Sequence, residues 1–208
     1  MLSSSQVASL STNSIAALET ADLAALKTST IGGLKSAQLA ALTTNQVVGL
    51  TTAQANALSS AQITGLSTNS IAALETADLA ALKTSSIAGL STMQVAALTT
   101  NQIGNLTTAQ IAALSTNNLA NGITTNQIVA LSSNQLGALS TAQFGALSTN
   151  AIAAIETADI VGLKTNVIAS LKSTHIGALT TNQVSSLGTN QVAALSTAGL
   201  QGLSTNQV

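Results

Sequence analysis

Residues 66–90 read LSTNSIAALETADLAALKTSSIAGL, a stretch in which Leu returns at every eighth position. A short fixed period predicts a repeat architecture, because each unit is too small to bury its apolar edge alone and needs another unit to cover it. The same period runs along the chain. We number the octad from this recurring Leu, which is position 1.

The octad register covers residues 1–208 as one array. The position-1 residues run from Leu2 to Leu114 and, after a single extra residue, from Ile123 to Leu203, which makes 26 octads. Position 3 is Ser or Thr in all 26 octads, position 6 is nearly always Val, Ile or Leu, position 8 is always small, and position 5 is most often Gln. The one-residue slip lies at 121–123, where an Asn-Gly dipeptide predicts a local kink or bulge.

These columns favour an all-α solenoid of very short capped helices, one per octad. With position 2 as the N-cap, Gln or Asp at position 5 lies close to a capping box. With position 3 as the N-cap, Asp22, Asp78 and Asp159 lie in the first helical turn, where the helix dipole favours a negative charge. A helix of about six residues is unstable alone. We therefore expect neighbouring octads to stack and to bury positions 6 and 1 as one stripe, with the small position 8 allowing close approach.

The alternative is a β-solenoid with 8-residue half-coils. Positions 1 and 3, and positions 6 and 8, alternate as inward-facing strand residues would, and β-branched residues dominate position 6. Asn is a good N-cap but never occupies position 3, which fits an inward ladder of hydroxyl groups better than a cap. The Ala-rich position 7 and the small number of Gly residues for so many corners count against strands.

Composition excludes several classes of function. Only 5% of the 208 residues are charged, the net charge is −1, and the chain has no Trp, Tyr, Pro or Cys. Without a basic patch or aromatic residues that stack on bases, we predict no binding of nucleic acid. The absence of Cys excludes disulfides and thiolate metal sites. The apolar runs are too short to span a membrane, and the start of the chain lacks the pattern of a signal peptide.

The charged side chains predict no metal site. Three Glu residues at position 2 are each followed by a Lys eight residues on: Glu19–Lys27, Glu75–Lys83 and Glu156–Lys164. If adjacent octads stack, these are exposed ladder pairs worth a few tenths of a kcal/mol each. Each cluster holds one Glu and one Asp (Asp22, Asp78 or Asp159) beside a Lys, which is too little negative charge for calcium.

No group of residues predicts catalysis or a cofactor. His175 occupies the usual Gln position and is interpreted as a solvated polar substitution, since a catalytic base needs a nucleophile and an orienting partner. Met93 is interpreted as a surface variant and Phe144 as a core variant. Gly32-Gly33 is not a phosphate-binding loop, because no Walker pattern follows. We predict no catalytic residue, and we expect that the protein is not an enzyme.

The motif LTTAQIAAL at residues 106–114 resembles the octapeptide repeats in long, low-charge segments of large bacterial secreted and cell-surface proteins of the adhesin type. The resemblance implies a structural repeat segment, such as a spacer, stalk or fibre-forming rod, at the cell surface or outside the cell. The chain ends inside an octad, at LSTNQV, so we expect either a longer array or an end that stacks on another copy along the solenoid axis. The alternative is a repetitive Thr, Ser, Asn and Gln surface that binds ice or a polysaccharide.

Overall fold

A computed structural model of the chain describes residues 3–208, which form 25 helices of four to six residues and contain no strand. The predicted all-α solenoid is confirmed, and the β-solenoid alternative is wrong. The chain divides into two compact units, Met1–Leu114 and Ser115–Val208.

Each octad from the first to the twenty-fifth contributes one helix. The helices of the first unit are α1 (Ser4–Ser9), α2 (Thr12–Ala16), α3 (Thr20–Ala25), α4 (Thr28–Ile31), α5 (Ser36–Ala40), α6 (Thr44–Val48), α7 (Thr52–Ala57), α8 (Ser60–Gly65), α9 (Thr68–Ala73), α10 (Thr76–Ala81), α11 (Thr84–Ala88), α12 (Thr92–Ala97), α13 (Thr100–Asn105) and α14 (Thr108–Ala113). Those of the second unit are α15 (Thr116–Asn121), α16 (Thr125–Val129), α17 (Ser133–Gly137), α18 (Thr141–Phe144), α19 (Thr149–Ala154), α20 (Thr157–Ile160), α21 (Thr165–Ser170), α22 (Ser173–Ala178), α23 (Thr181–Ser185), α24 (Thr189–Ala193) and α25 (Thr197–Leu200).

Within each unit, a helix packs on the third helix along the chain. In the first unit, α1, α4, α7, α10 and α13 form one column, and the helices after them form two more columns in the same way. The second unit repeats the arrangement, for example in the column α16, α19, α22 and α25. Three octads therefore make one turn of 24 residues. The expectation that an octad stacks on its sequence neighbour is wrong, because the neighbour lies across a corner and the stacking partner lies one turn away.

The corners between helices consist of two extended residues. Leu98 at position 1 has φ −59° and ψ 135°, and the following Thr99 has φ −70° and ψ 159°. Over residues 3–208 no residue has a positive φ. Corners of this kind need no Gly, which explains why so few Gly residues suffice.

Position 2 is the N-cap, and every helix begins at position 3. In α13, for example, the Thr99 hydroxyl accepts the backbone N–H of Gln102, and the Gln102 side chain accepts the backbone N–H of Thr99. This reciprocal pair is a capping box. Where position 2 is Glu or Lys, as at Glu75 and Lys83, the side chain makes no capping bond.

Positions 6 and 1 form the core, as predicted. Ile103 at position 6 is fully buried, and Leu106 at position 1 is 3% exposed. The two exceptions at position 6, Ala55 and Phe144, are equally buried, so the interpretation of Phe144 as a core variant is confirmed. Since an octad buries only two large apolar side chains, the stacking of turns supplies the core that a single octad lacks.

Positions 3 and 8 interlock between turns. The Ser36 hydroxyl donates to the Ala61 carbonyl at 3.0 Å, and Gly65 lies directly against Ser36. The same pairing recurs between Thr20 and Gly49. A longer side chain at position 3 would meet the backbone of the next turn, which accounts for the absence of Asn at this position without an inward β-ladder.

The extra residue at the slip forms a bulge at the end of α15. The N–H groups of Gly122 and Ile123 both donate to the Asn118 carbonyl at 2.8 Å, so the Ile123 bond spans five residues, whereas Leu114 donates to Ile111 three residues back. Gly122 stays in the right-handed helical region, with φ −107° and ψ −44°. The octad register resumes at Ile123, which is half-buried.

The close approach of turns predicts a position-specific effect of added methyl groups. A Cβ at Gly65 would lie 2.9 Å from the Ser36 carbonyl oxygen, whereas a Cβ at Gly137 would meet only the Gly162 carbonyl, at 3.8 Å. We expect Gly65→Ala to lower the free energy of unfolding by about 1–3 kcal/mol. Gly137→Ala should leave it unchanged or raise it by up to about 1 kcal/mol, since Ala favours helix. Urea unfolding of both variants checks this, and equal effects would contradict the interlock.

Candidate functional site

The Gln side chain at position 5 bridges two turns of the coil. In Gln102, Oε1 accepts the backbone N–H of Thr99 at 2.8 Å. Its Nε2 donates to the carbonyls of Ile71 at 2.9 Å, Leu74 at 2.7 Å and Ala72 at 3.3 Å, one turn earlier. One carboxamide thus joins the start of its own helix to the end of a helix in the preceding turn.

The bridge satisfies backbone groups that very short helices leave without a hydrogen-bond partner. The last carbonyl groups of a helix have no partner inside that helix, and an unpaired carbonyl is costly when it is buried. In a helix of six residues these groups are most of the backbone. The Gln amide group donates to these carbonyl groups in the preceding turn, while its oxygen accepts the backbone N–H of the N-cap residue of its own helix. The start of one helix and the end of another are thus both satisfied by one neutral side chain.

The bridge recurs in both units with nearly the same partners. Its acceptors lie 31 and 28 residues earlier, at position 6 and at the following position 1, and a third acceptor often lies between them. The Gln residues with these bonds within a unit are Gln38, Gln46, Gln54, Gln62, Gln94, Gln102 and Gln110 in the first, and Gln183, Gln191 and Gln207 in the second.

Sequence reasoning predicted the capping half of this arrangement and missed the bridging half. Gln102 is 2% exposed, and the other bridging Gln residues between Gln38 and Gln191 are similarly buried. Gln6, in the first described turn, makes the capping bond to Ser3 but is exposed. A usable signal existed, because position 5 never holds Glu, Lys or Arg although position 2 holds both Glu and Lys.

Where position 5 is not Gln, the bridge is reduced or lost. The Ser86 hydroxyl reaches the Leu58 carbonyl at 3.0 Å, and Asp159 accepts the Ser133 hydroxyl at 2.5 Å. Asp78 is only 2% exposed, and its Oδ2 has no hydrogen-bond partner. A carboxylate has no donor for the carbonyl groups that a Gln would reach, so these octads are held by fewer polar contacts.

His175 is buried rather than solvated, and its sequence interpretation is wrong. It is 6% exposed, and its Nδ1 lacks a hydrogen-bond partner. Burial, and secondarily the charge of Lys172, lower the pKa of His175 below its ordinary value of 6.5. The neighbouring stacked helices α19 and α25 carry no charged residue. The error arose because the Gln column itself was taken to face solvent.

The expected ladder of Glu and Lys is also wrong. Glu75 and Lys83 occupy the N-cap positions of the consecutive helices α10 and α11, which belong to different columns. The other two pairs are related in the same way. All these Glu and Lys side chains are exposed, so they lie on the surface at successive corners of the coil.

The structure also locates the other residues considered in the sequence analysis, which are Met93, Gly32, Gly33 and Asp22. Met93 is 72% exposed, which confirms its interpretation as a surface variant. Gly32 and Gly33 follow α4, where Gly33 packs against Ser4. Asp22 lies in the first turn of α3 and is exposed, unlike its counterparts Asp78 and Asp159.

No three or more His, Asp or Glu side chains in residues 3–208 come together in a way that could hold a metal ion. None of the helices in this range has the length and apolar character needed to cross a bilayer.

Stacked one-octad helices with amide bridges between turns define an α-helical solenoid repeat protein. The chain belongs to the ALTTAQ repeat family, whose family model matches residues 15–52, 39–68, 71–108, 121–149 and 152–189. The family is one of structural repeats, and the resemblance to octapeptide repeats is confirmed at that level. No curated protein matches the chain.

Loss of one bridge should destabilise the coil far more than loss of one cap. We expect Gln102→Ala to lower the free energy of unfolding by about 2–4 kcal/mol, because three carbonyl groups and one N–H lose a buried partner. The matched control is Gln6→Ala, which removes the same side chain where it is exposed and should cost less than about 1 kcal/mol. Similar losses in chemical denaturation would refute the bridge.

His175 should make the stability of the protein depend on pH. Because the pKa of His175 is lower in the folded chain, the unfolded chain takes up a proton at a higher pH than the folded chain does. The contribution of neutral His175 to the free energy of unfolding is therefore fully present above about pH 6.5 and is lost as the pH falls below it. Thermal melts between pH 7.5 and 5.5 should show this loss. His175→Gln should raise the melting temperature and flatten the pH profile, and Gln183→His should create a new pH dependence. A wild-type profile that is flat over this range would exclude the effect.

Proposed function

We propose that the protein is a spacer or stalk segment of a bacterial cell-surface or secreted protein, able to join end to end with another copy. The proposal rests on one observation. The identical segments 11–29 and 67–85 contain α2 and α3 in one case and α9 and α10 in the other, with the first two residues of the next helix, so the same sequence occupies different columns of the same unit. When the same sequence can occupy any column, no single face of the coil is specialised. This favours a structural spacer, whose role depends on its length, over a binding site on one face.

End-to-end joining is supported by the two different sides of each turn. Position 5 faces the preceding turn and position 6 faces the following turn. In the last described turn, Val192 and Leu200 at position 6 are 49% and 47% exposed, whereas Ile103 is fully buried. In the first described turn, the Gln6 amide at position 5 is exposed. A second copy that places its first turn on this apolar end would continue the same contacts.

Binding of ice or a polysaccharide stays a prediction. The hydroxyl groups at position 2 are committed to capping bonds, as at Thr99 and Thr107, which leaves positions 3 and 4 to face a ligand. A surface that matches a lattice would keep its side chains in one column, and the exchange of columns described above favours the structural role.

Sedimentation velocity over a wide range of concentrations tests the joining of copies. We expect the wild-type chain to form larger species as its concentration rises. The double variant Val192→Glu and Leu200→Glu should remain monomeric, because buried charge opposes apolar docking. Met93→Glu places the same charge on an exposed side position and should behave as wild type. A wild-type chain that stays monomeric throughout would end the proposal of end-to-end joining.

A further inference from the structure

We infer that the coil has two intrinsic opening points, at 66–89 (three octads) and 147–178 (four octads), where position 5 never holds Gln although a preceding turn is present to be bridged. The residues at position 5 are Ser70, Asp78 and Ser86 in the first of these turns, and Ala151, Asp159, Val167 and His175 in the second. Three octads make a turn, so each run removes the amide bridge around the whole circumference.

The loss of polar contacts across the first opening point is large. In the turn 90–113, Gln94, Gln102 and Gln110 donate eight hydrogen bonds to carbonyl groups 28 to 31 residues earlier, seven of them in the turn 66–89 and one at Ile63. In the turn 66–89, the only such bond donated by position 5 is that of Ser86 to Leu58. The apolar contacts of positions 6 and 1 continue unchanged, so this boundary differs from the next one mainly in its hydrogen bonds.

Most helices of these two stretches also lack a side-chain N-cap. Helices α10 and α11, with Glu75 and Lys83 as N-cap residues, have no side-chain capping bond, and neither have α20, α21 and α22. Helices α9 and α19 are capped, by Ser67 and Ser148. Helices α12, α13 and α14 each have a complete capping box. A helix of one turn that is uncapped and unbridged depends on packing alone.

Unpartnered buried atoms provide independent support. Among the residues that the structure describes, two buried side-chain polar atoms lack a hydrogen bond, Asp78 Oδ2 and His175 Nδ1. Both are at position 5 in the Gln-free turns. Opening would expose these atoms to water, so it relieves a cost that the closed coil bears at these two places.

The chain contains its own matched control. Segments 11–29 and 67–85 are identical, yet Ser14 and Asp22 are exposed in the first described turn whereas Ser70 and Asp78 are buried on an earlier turn. Gln fits where the N-cap residue is charged, since the backbone N–H of Lys35 donates to Oε1 of Gln38 at 2.9 Å. Introducing Gln at these positions therefore creates bridges in one copy of the segment and has nothing to bridge in the other.

Hydrogen exchange of the full chain, followed by NMR or mass spectrometry, tests the inference. The N–H groups of Ile71 and Leu79 should exchange at least about tenfold faster than those of Val95 and Ile103, which make equivalent bonds. The double variant Ser70→Gln and Asp78→Gln should slow exchange in 66–89 by about tenfold or more. Ser14→Gln with Asp22→Gln should leave exchange there within about threefold of wild type.

Equal exchange in the turns 66–89 and 90–113 of the wild type would overturn the inference, and so would equal effects of the two double variants. The converse pair Gln94→Ser and Gln102→Asp should produce fast exchange in 90–113. Unchanged exchange in this variant also counts against the inference, whether or not the chain joins end to end.

Discussion

The backbone carbonyl groups at helix ends set the main constraint on this fold. A helix of four to six residues has almost no interior, so nearly every carbonyl is an end group that needs a partner from elsewhere. Water cannot serve the carbonyl groups that stacking buries. The Gln carboxamide serves them from the next turn, and its oxygen satisfies an N–H of its own helix at the same time.

This constraint links positions of the octad to each other across successive turns. Position 5 depends on positions 6 and 1 of the preceding turn, and position 3 depends on the small residue at position 8 of the following turn. Positions 4 and 7 contribute backbone carbonyl groups to these contacts, as at Ala61 and Ala72, but not their side chains. They tolerate large exposed side chains such as Met93 and Val48. The choice of residue is therefore restricted at the octad positions where turns meet, and it is free where the side chain faces solvent.

The sequence alone predicted the features that depend on residues within one octad. It failed to predict the contacts that depend on the number of octads in a turn. The short helices, the N-caps and the burial of positions 6 and 1 follow from spacing within eight residues. The bridge of Gln102 to Ile71 spans 31 residues, and its position in space requires knowing that three octads close a turn. Without that number, a Glu and the Lys eight residues on appear to stack although they lie in different columns.

The identical segments show why local sequence could not locate the buried polar residues. Asp22 and Asp78 have the same neighbours in sequence for several residues on each side, yet one is exposed and the other is 2% exposed. The difference comes from the turn underneath, which a local pattern does not contain. His175 was misjudged for the same reason, since a Gln column that caps a helix looks solvated until the preceding turn is placed against it.

Growth of the array by copying such a segment has a structural consequence. The segment 67–85 fits a new column because all columns obey the same rules, but it brings Ser and Asp to position 5 wherever it is placed. The turn that follows it restores the bridge, because Gln102 and Gln110 reach back to carbonyl groups within the copied segment. The copy at 67–85 therefore has a weakly bridged boundary on its preceding side and a normal one on its following side. The spacing of copied segments, rather than total length, determines where the coil is held least strongly.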